Sequence, residues 1–390
     1  MVDVSTIVVQ LKLAPSPQQA TVLEQTLHAV NTQANLVSQS ARAQGVYRNY
    51  ALRRLAYKDV RAAGIGSQAA QHVVKKVADA YTTFHANLAA GNYGREGSER
   101  WRRAVSTLIT FRLDAAQTYD QRNLSVALDA RTVSLWTLQG RLKDVAFICS
   151  ADAAKVLAEH KRGESDLLRR EGVWYLMVTV NVPDPPEYEP DGFVGVDMGI
   201  ANIATTSDGQ VMAGRQLTRY RRRQRRLRQK LQAKGTKSAK RLLKKQRRKE
   251  QRRSKDINHV ISKRIVAEAE RTSRGISLED LTGIRQRVRQ AKPQRAALHS
   301  WAFAQLAGFI AYKARRAGVP LVFVQAAYSS RECAECSYTD KANRVSQALF
   351  TCRSCGVVAH ADRNASRVLA RRGQDAWNAG RQSHVPPANT

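Results

Sequence analysis

Acidic residues are scarce in this sequence: 32 Asp and Glu stand against 65 Lys and Arg in 390 residues, a formal net charge of +33. The imbalance points to a polyanionic partner, because basic side chains neutralise phosphates and release condensed counterions. Long apolar runs are missing too, and none approaches the ~18 residues that span a bilayer. The basic stretches lack the clean Trp- or Phe-rich face with which a helix lies on a membrane. The first residues alternate in polarity and do not form an apolar h-region, so no signal peptide is expected. Only five cysteines occur, which suits a reducing compartment better than a disulfide framework. The expectation is a soluble, intracellular protein of two or three domains.

Four of those cysteines share one pattern. Cys333 and Cys336 form a C-x-x-C knuckle, and Cys352 and Cys355 form a second after fifteen intervening residues. Each two-residue gap lets the backbone turn under a metal and offer two sulfurs, and Zn²⁺ accepts four thiolates as a tetrahedron. The spacing reads as a structural zinc site; the bland alternatives are a redox pair or chance. The fifth cysteine, Cys149, lies in an apolar strand-like run.

From the N-terminus, Ile7, Val9, Leu11 and Leu13 alternate and read as a half-buried strand. Pro15 and Pro17 break it, Ser16 is a candidate N-cap, and Leu23, Leu27, Val30, Ala34 and Val37 repeat at helical spacing until Gly45. A basic helix over about 50–63 and a third helix from Ser67, striped by Val73, Val77, Tyr81, Phe84 and Leu88, complete a helical unit, 15–104. Tyr47, Tyr50 and Tyr57 interleave with Arg48, Arg53 and Arg54 there, as base-stacking aromatics among phosphate-binding cations would; core aromatics under a solvated basic face fit equally. From 105 to 182 the runs are short and alternating (Ile109-Phe111-Leu113, Leu124-Val126-Leu128, Val145-Phe147, Trp174 to Val182), which suggests a small β-barrel. The opening strand, 1–14, has no neighbour in sequence and is expected to join that barrel, with the helices as an insertion. PDPPEYEP then opens a stiff polar linker, 183–192.

Phe193 to Val196 read as a buried strand ending at Asp197, followed by two more strands turning at Ser207-Asp208-Gly209. Residues 219–255 hold 20 Lys and Arg and a single acid, Glu250. Lying between ordered elements, this run reads as a helical arm for nucleic acid, hairpinned near Gly235. An amphipathic helix is expected over 257–271, a short strand over Gly275 to Leu281, a helix over 298–317 with Trp301, Leu306, Phe309, Ile310 and Tyr312, and a buried strand over Val319 to Gln325. Residues 374–390 are expected to be a disordered tail.

Three acids stand at element ends: Asp197 after a strand, Glu279 or Asp280 at a strand end, and Asp362 opening a helix. Neighbours on a strand face opposite ways, so Glu279 and Asp280 cannot share a site; periodicity does not choose between them. Carboxylates converging from several elements could hold two Mg²⁺ ions about 4 Å apart for phosphodiester hydrolysis. These contexts leave a metal nuclease and coincidence among 32 acids both open.

GVDMGIANIATTSDG, ISLEDL and the knuckles running into HADRNAS resemble the three RuvC motifs of the transposon-encoded TnpB proteins, the IS200/IS605 OrfB family, compact relatives of the Cas12 nucleases. The likeness is strong over about 193–372 and architectural over 1–190. It implies a mixed α/β and β multidomain fold. An RNase H-like (RuvC) nuclease domain, 193–373, would carry the basic arm and an inserted four-cysteine zinc ribbon, 330–358. A wedge β-barrel with an inserted helical recognition domain would precede it. By resemblance, Asp197, Glu279 and Asp362 are the catalytic acids and Mg²⁺ ligands, which selects Glu279 over Asp280. The implied activity is Mg²⁺-dependent, RNA-guided DNA cleavage of both strands from one site. A guide RNA from the transposon end would pair with double-stranded target DNA, and the protein would read a flanking motif. A monomer with one RNA in the bacterial cytoplasm, near the nucleoid, is implied.

Two departures from the family pattern stand out. Ser337 follows Cys336 where glycine is common, and Arg367 stands where asparagine often follows the third motif. The alternative function is a guided DNA-binding regulator without cleavage, as in relatives that have lost acids; all three acids are retained here. No two histidines are one residue apart, against a histidine-paired, tyrosine-nucleophile transposase.

Overall fold

The computed structural model describes residues 3–160, 162–199, 202–280, 303–325 and 327–380. The chain divides into two compact units, Met1–Pro183 and Asp184–Thr390.

The first unit opens with β1 (Val4–Ala14), whose alternation buries Val9, Leu11 and Leu13 and leaves Val8, Gln10 and Lys12 in water. Ser16 caps α1 (Pro17–Gln44) in a capping box with Gln19, and Gly45, at φ 66°, ends it in the left-handed conformation that glycine adopts freely. α2 (Asn49–Ala62) and α3 (Ser67–Ala89) pack on α1 around Val30, Val37, Leu52, Val60, Val73 and Val77, and α4 (Glu99–Ser106) follows. Tyr47 packs at a tilt on Tyr81, ring centroids 4.7 Å apart, and Tyr57 packs on the same core; of the three tyrosines only Tyr50, 75% exposed, stands in water.

Seven antiparallel strands make the sheet of this unit: β1, β2 (Gln117–Tyr119), β3 (Leu124–Ala127), β4 (Thr132–Thr137), β5 (Gly140–Ile148), β6 (Arg162–Arg170) and β7 (Val173–Pro183). Their order is β2-β6-β7-β1-β5-β4-β3, a sheet curled into a near-closed barrel around Leu11, Tyr119, Leu135, Leu167 and Leu176. β1 lies at its centre, with Val9 opposite Val178 and Leu11 opposite Leu176.

One stretch expected as a strand is otherwise, and a helix not expected from the sequence interrupts the strands. Ile109 to Leu113 runs along α1 without joining the sheet and turns at Leu113. Asn31 donates to the Leu113 carbonyl, Asn35 to Phe111, Ser38 to Ile109 and Arg42 to Thr107, one polar residue per turn of one helix face. This lattice satisfies backbone groups that a sheet would otherwise take. Between β5 and β6, α5 (Ala151–Glu159) starts where the Ser150 hydroxyl accepts the Ala153 N–H; its run of good helix formers overrides the surrounding strand pattern.

In the second unit a five-stranded sheet has the order β10-β9-β8-β11-β12. It comprises β8 (Phe193–Asp197), β9 (Asn202–Thr206), β10 (Val211–Ala213), β11 (Gly275–Asp280) and β12 (Leu321–Gln325). β8, β11 and β12 are parallel, while β8, β9 and β10 form an antiparallel meander. Between β10 and β11 come α6 (Arg215–Lys234) and α7 (Lys237–Arg271), an antiparallel hairpin that turns at Gly235 (φ 63°). Gln246 donates to the Gln224 carbonyl across it, and Arg253 lies over the Tyr220 ring at 4.3 Å. The second half of the basic arm and the amphipathic helix expected after it are one helix, because no residue from Lys237 to Arg271 carries a stop signal.

One face of the sheet, with Val194, Val196, Ile276 and Leu278, packs on the end of α7 and on α8 (Phe303–Arg316). Trp301 and the first residues of the expected 298–317 helix lie outside the described residues. The other face, with Phe193, Val322 and Val324, is covered by α9 (Ala361–Asn378) through Leu369. α9 runs to Asn378, five residues into the expected tail, because Trp377 packs against this face and donates to Glu189 at 2.8 Å; 381–390 lie outside the described residues. The expected linker is tied down too: Asp184 is buried and paired with Arg315 at 2.6 Å, and the Tyr188 hydroxyl donates to the Arg274 carbonyl. Between β12 and α9 sits a small ribbon with the hairpin β13 (Leu349–Thr351) and β14 (Val358–His360). No helix of the described residues is long and apolar enough to cross a membrane.

Candidate active site

Strand alternation decides which acids meet. On β8, Phe193, Gly195 and Asp197 share the face under α9; on β11, Gly275, Ser277 and Glu279 share it. The parallel register pairs Leu278 with Val196, and one step further sets Glu279 beside Asp197. Asp280 falls on the opposite face and is exposed, whereas Glu279 is 9% exposed. The third acid, Asp362, arrives on the first turn of α9.

That helix comes close because glycine clears its path. A Cβ on Gly195 would lie 1.9 Å from the Ser366 carbonyl oxygen and 2.4 Å from the Ala370 nitrogen, where no carbon fits.

The three acids feel one another. Burial, then the charges of Glu279 and Asp362, push the Asp197 carboxyl up to about 8, against a partial offset from Arg344. Burial raises Glu279 as well, opposed by a hydrogen bond from the Ser329 hydroxyl to Oε1 at 2.8 Å and by the charge of Arg372. Asp362 accepts from Asn202 Nδ2 at 2.9 Å and lies 3.7 Å from the Arg344 guanidinium. Crowded, partly desolvated carboxylates of this kind favour either a proton or a hard cation.

The ribbon brings the four cysteines together. Their sulfurs all lie within 4.8 Å of one another, a grouping that could hold a metal ion. Cys333 and Cys355 are 3.7 Å apart and Cys336 and Cys352 3.6 Å, so the knuckles interleave. A tetrahedron of sulfurs at about 2.3 Å from a zinc ion has edges of about 3.8 Å, close to both of these separations. Burial works against the Cys352 thiolate, but the backbone N–H groups of Cys355 and Ser354 and the neighbouring thiols outweigh it and bring it down to about 6. Cys149 stands apart, half-buried beside the barrel core.

Both departures from the family pattern have a visible consequence. Ser337 sits at φ 63°, the left-handed region, as Gly356 does at φ 73° after the second knuckle. Arg367 points to Glu335 inside the first knuckle, an ion pair at 2.5 Å, and leaves Asp362 to Asn202 and Arg344.

Four residues at the site had no assigned role from sequence: Asn202, Ser329, Arg344 and Asn364. Asn202 and Asn364 lie inside the matched motifs. Ser329 and Arg344 sit in irregular ribbon segments, where no periodicity marks a side chain's direction.

The family described as "Probable transposase" matches residues 176–282, and the "Cas12f1-like, TNB domain" matches 303–369. A CRISPR-associated endodeoxyribonuclease Cas12f1 of Sulfoacidibacillus thermotolerans is 40% identical over 114 residues, 29% of this chain and 26% of that protein. The putative RNA-guided DNA endonuclease InsQ of Escherichia coli is 28% identical over 229 residues, 54% of this chain and 56% of that protein. The chain thus spans between about a quarter and just over half of these relatives. In fold it is similar to the protein of a Cas12f1–sgRNA–target DNA complex, with TM-score 0.59 and 11% identity over 95% of this chain and 99% of that one. The resemblance to the TnpB family, drawn above from motifs, is matched by these relatives in sequence and in fold.

Proposed function

We propose that the chain is an RNA-guided DNA endonuclease of transposon origin, cutting both strands of double-stranded DNA at a single RuvC-type site. One observation carries the reading: Asp197, Glu279 and Asp362 converge from two parallel strands and a helix start, with Arg344 beside them. The strand order β10-β9-β8-β11-β12, antiparallel then parallel, supports an RNase H-like domain over 193–373. In the same reading, 1–14 and 105–182 are the wedge barrel, 15–104 the recognition domain, 219–255 a nucleic-acid arm and 330–358 a zinc ribbon. The relatives' names, and the complex to which the fold is similar, support a guide RNA and target DNA as partners.

Asp197, Glu279 and Asp362 would hold Mg²⁺, which supplies an activated water and stabilises the leaving oxygen when bound. Ser329 and Asn202 aim the carboxylates by their hydrogen bonds. Arg344 offsets the acids' charge and offers a planar guanidinium suited to a phosphate oxygen. Cys333, Cys336, Cys352 and Cys355 would hold a structural Zn²⁺. Because base pairing reads the sequence, the surplus of cations can serve backbone contacts alone.

The test is cleavage by the full chain co-expressed with RNA from its gene's own downstream flank. The substrate is a plasmid library with randomised bases beside a guide-matched target, in Mg²⁺. Guide-dependent double-strand cuts that vanish with Asp197→Ala are expected. Tight guided binding without cuts, under conditions where zinc is retained, overturns the nuclease reading in favour of a guided regulator.

A further inference from the structure

The cysteine ribbon holds more than its own loop. Asn364, 2% exposed and two residues beyond Asp362, accepts the Ala334 N–H at 3.0 Å and donates to the Glu332 carbonyl at 2.7 Å. Those two backbone groups flank Cys333, so a side-chain amide grips the first knuckle as a neighbouring strand would. Glu332 itself is held by Arg371 and Arg372 of α9. Four residues before Cys333, Ser329 is 4% exposed and donates to Glu279 Oε1. Its turn is closed by the Arg331 and Glu332 N–H groups, both on the Tyr328 carbonyl. Residues 329–334 therefore form one strap, with one end on Glu279, the other on the helix turn that carries Asp362, and Cys333 in the middle of the grip.

We propose that Ser329 and Asn364 are positioning residues through which the filled thiolate site sets the divalent-cation affinity of the acid cluster. The proposal rests on the reading that Asp197, Glu279 and Asp362 bind cations. Metal at Cys333 fixes the knuckle. The fixed knuckle keeps the strap in the shape that satisfies Asn364, and the strap keeps Ser329 on Glu279. Outer groups that orient a ligand carboxylate typically change metal affinity by about 10–100-fold.

Mn²⁺ binding to the full chain, followed by the electron-spin signal of the free ion, tests this without reference to cleavage. Zinc content and melting temperature are measured on the same samples. Asp197→Asn identifies the acid cluster as the Mn²⁺ site by abolishing the binding. Ser329→Ala weakens it by about tenfold at unchanged zinc content, and Ser329→Thr, which keeps the hydroxyl, restores it to within about twofold. Asn364→Ala weakens it similarly, and stripping zinc with a zinc-selective chelator lowers Mn²⁺ affinity until zinc is returned. Wild-type Mn²⁺ affinity in both Ser329→Ala and zinc-stripped protein overturns the positioning role, leaving Asn364 a merely structural clamp. Mn²⁺ binding indifferent to Asp197→Asn sinks the acid-cluster reading itself, a separate outcome. Should Asn364→Ala fail to fold, the serine pair and the zinc arm still decide.

Discussion

Replacing Asp197 with asparagine should make the protein more stable while removing a proposed metal ligand. The carboxyl is raised from 3.8 to about 8 by burial and by Glu279 and Asp362. Its folded pKa lies above its unfolded one, so its contribution is fully present below about pH 4 and is lost as pH rises through about 8. Each pKa unit is about 1.4 kcal/mol, which puts the ceiling on that loss at roughly 6 kcal/mol. Relaxation of the cluster and sharing of a proton with Glu279 bring the expected gain from Asp197→Asn to about 2–4 kcal/mol at pH 8. For a unit of this size, that is roughly 5–15 °C in melting temperature. The assay is calorimetric melting of the full chain at pH 5, 6.5 and 8 without divalent cations. The gain should be small at pH 5, grow through pH 6.5 and level off near 8. Added Mn²⁺ should stabilise the wild type and leave the variant nearly unchanged. A variant that melts lower at every pH, or a gain that does not depend on pH, would refute the account of Asp197 as a buried carboxyl whose charge Arg344 offsets only in part.

Other expectations follow from close approaches and backbone strain. Gly195→Ala drives a carbon into the backbone of α9 and should cost about 3 kcal/mol or more, read as a lowered urea midpoint of the second unit. Ser337→Gly should relieve the left-handed strain in the first knuckle by about 1 kcal/mol and slow zinc loss to a chelator, while Gly356→Ser should speed it. Arg344→Ala removes the cation beside Asp362; the cleavage rate should fall by about 10–100-fold while half-saturation by Mg²⁺ moves to lower concentration. A rise in the Mg²⁺ requirement would show instead that Arg344 supports the acids.

Local rules made much of this fold readable. The period-two pattern of Val9, Leu11 and Leu13, the Ser16 cap, the left-handed Gly45 and Gly235 and the paired knuckles are each fixed by chemistry within a few residues. Local reading failed where a distant partner decided. Ile109 to Leu113 alternates like a strand, but side chains of α1 claim its carbonyls. A change of composition suggests a break within α7, although nothing in its backbone stops there. At the candidate site, periodicity could not choose Glu279 over Asp280; the face covered by α9 does. Arg344 and Ser329 reach the acids from ribbon segments whose direction depends on four interleaved thiols.

A helix of 35 residues is about 52 Å long. In α7 the described side chains from Lys240 to Ile257 all face water or lie partly exposed, whereas Asn258, Ile261, Ile265, Val266 and Ala269 are clamped in the core of the second unit. Four residues after its end begins β11, the strand that carries Glu279. α7 is therefore a rod rooted in the core of the second unit, and its cations from Lys240 to Lys255 stand along the part that leaves that core. Inserting residues between Lys240 and Ile257 would lengthen the rod by about 1.5 Å each while rotating its cations about 100° around the axis.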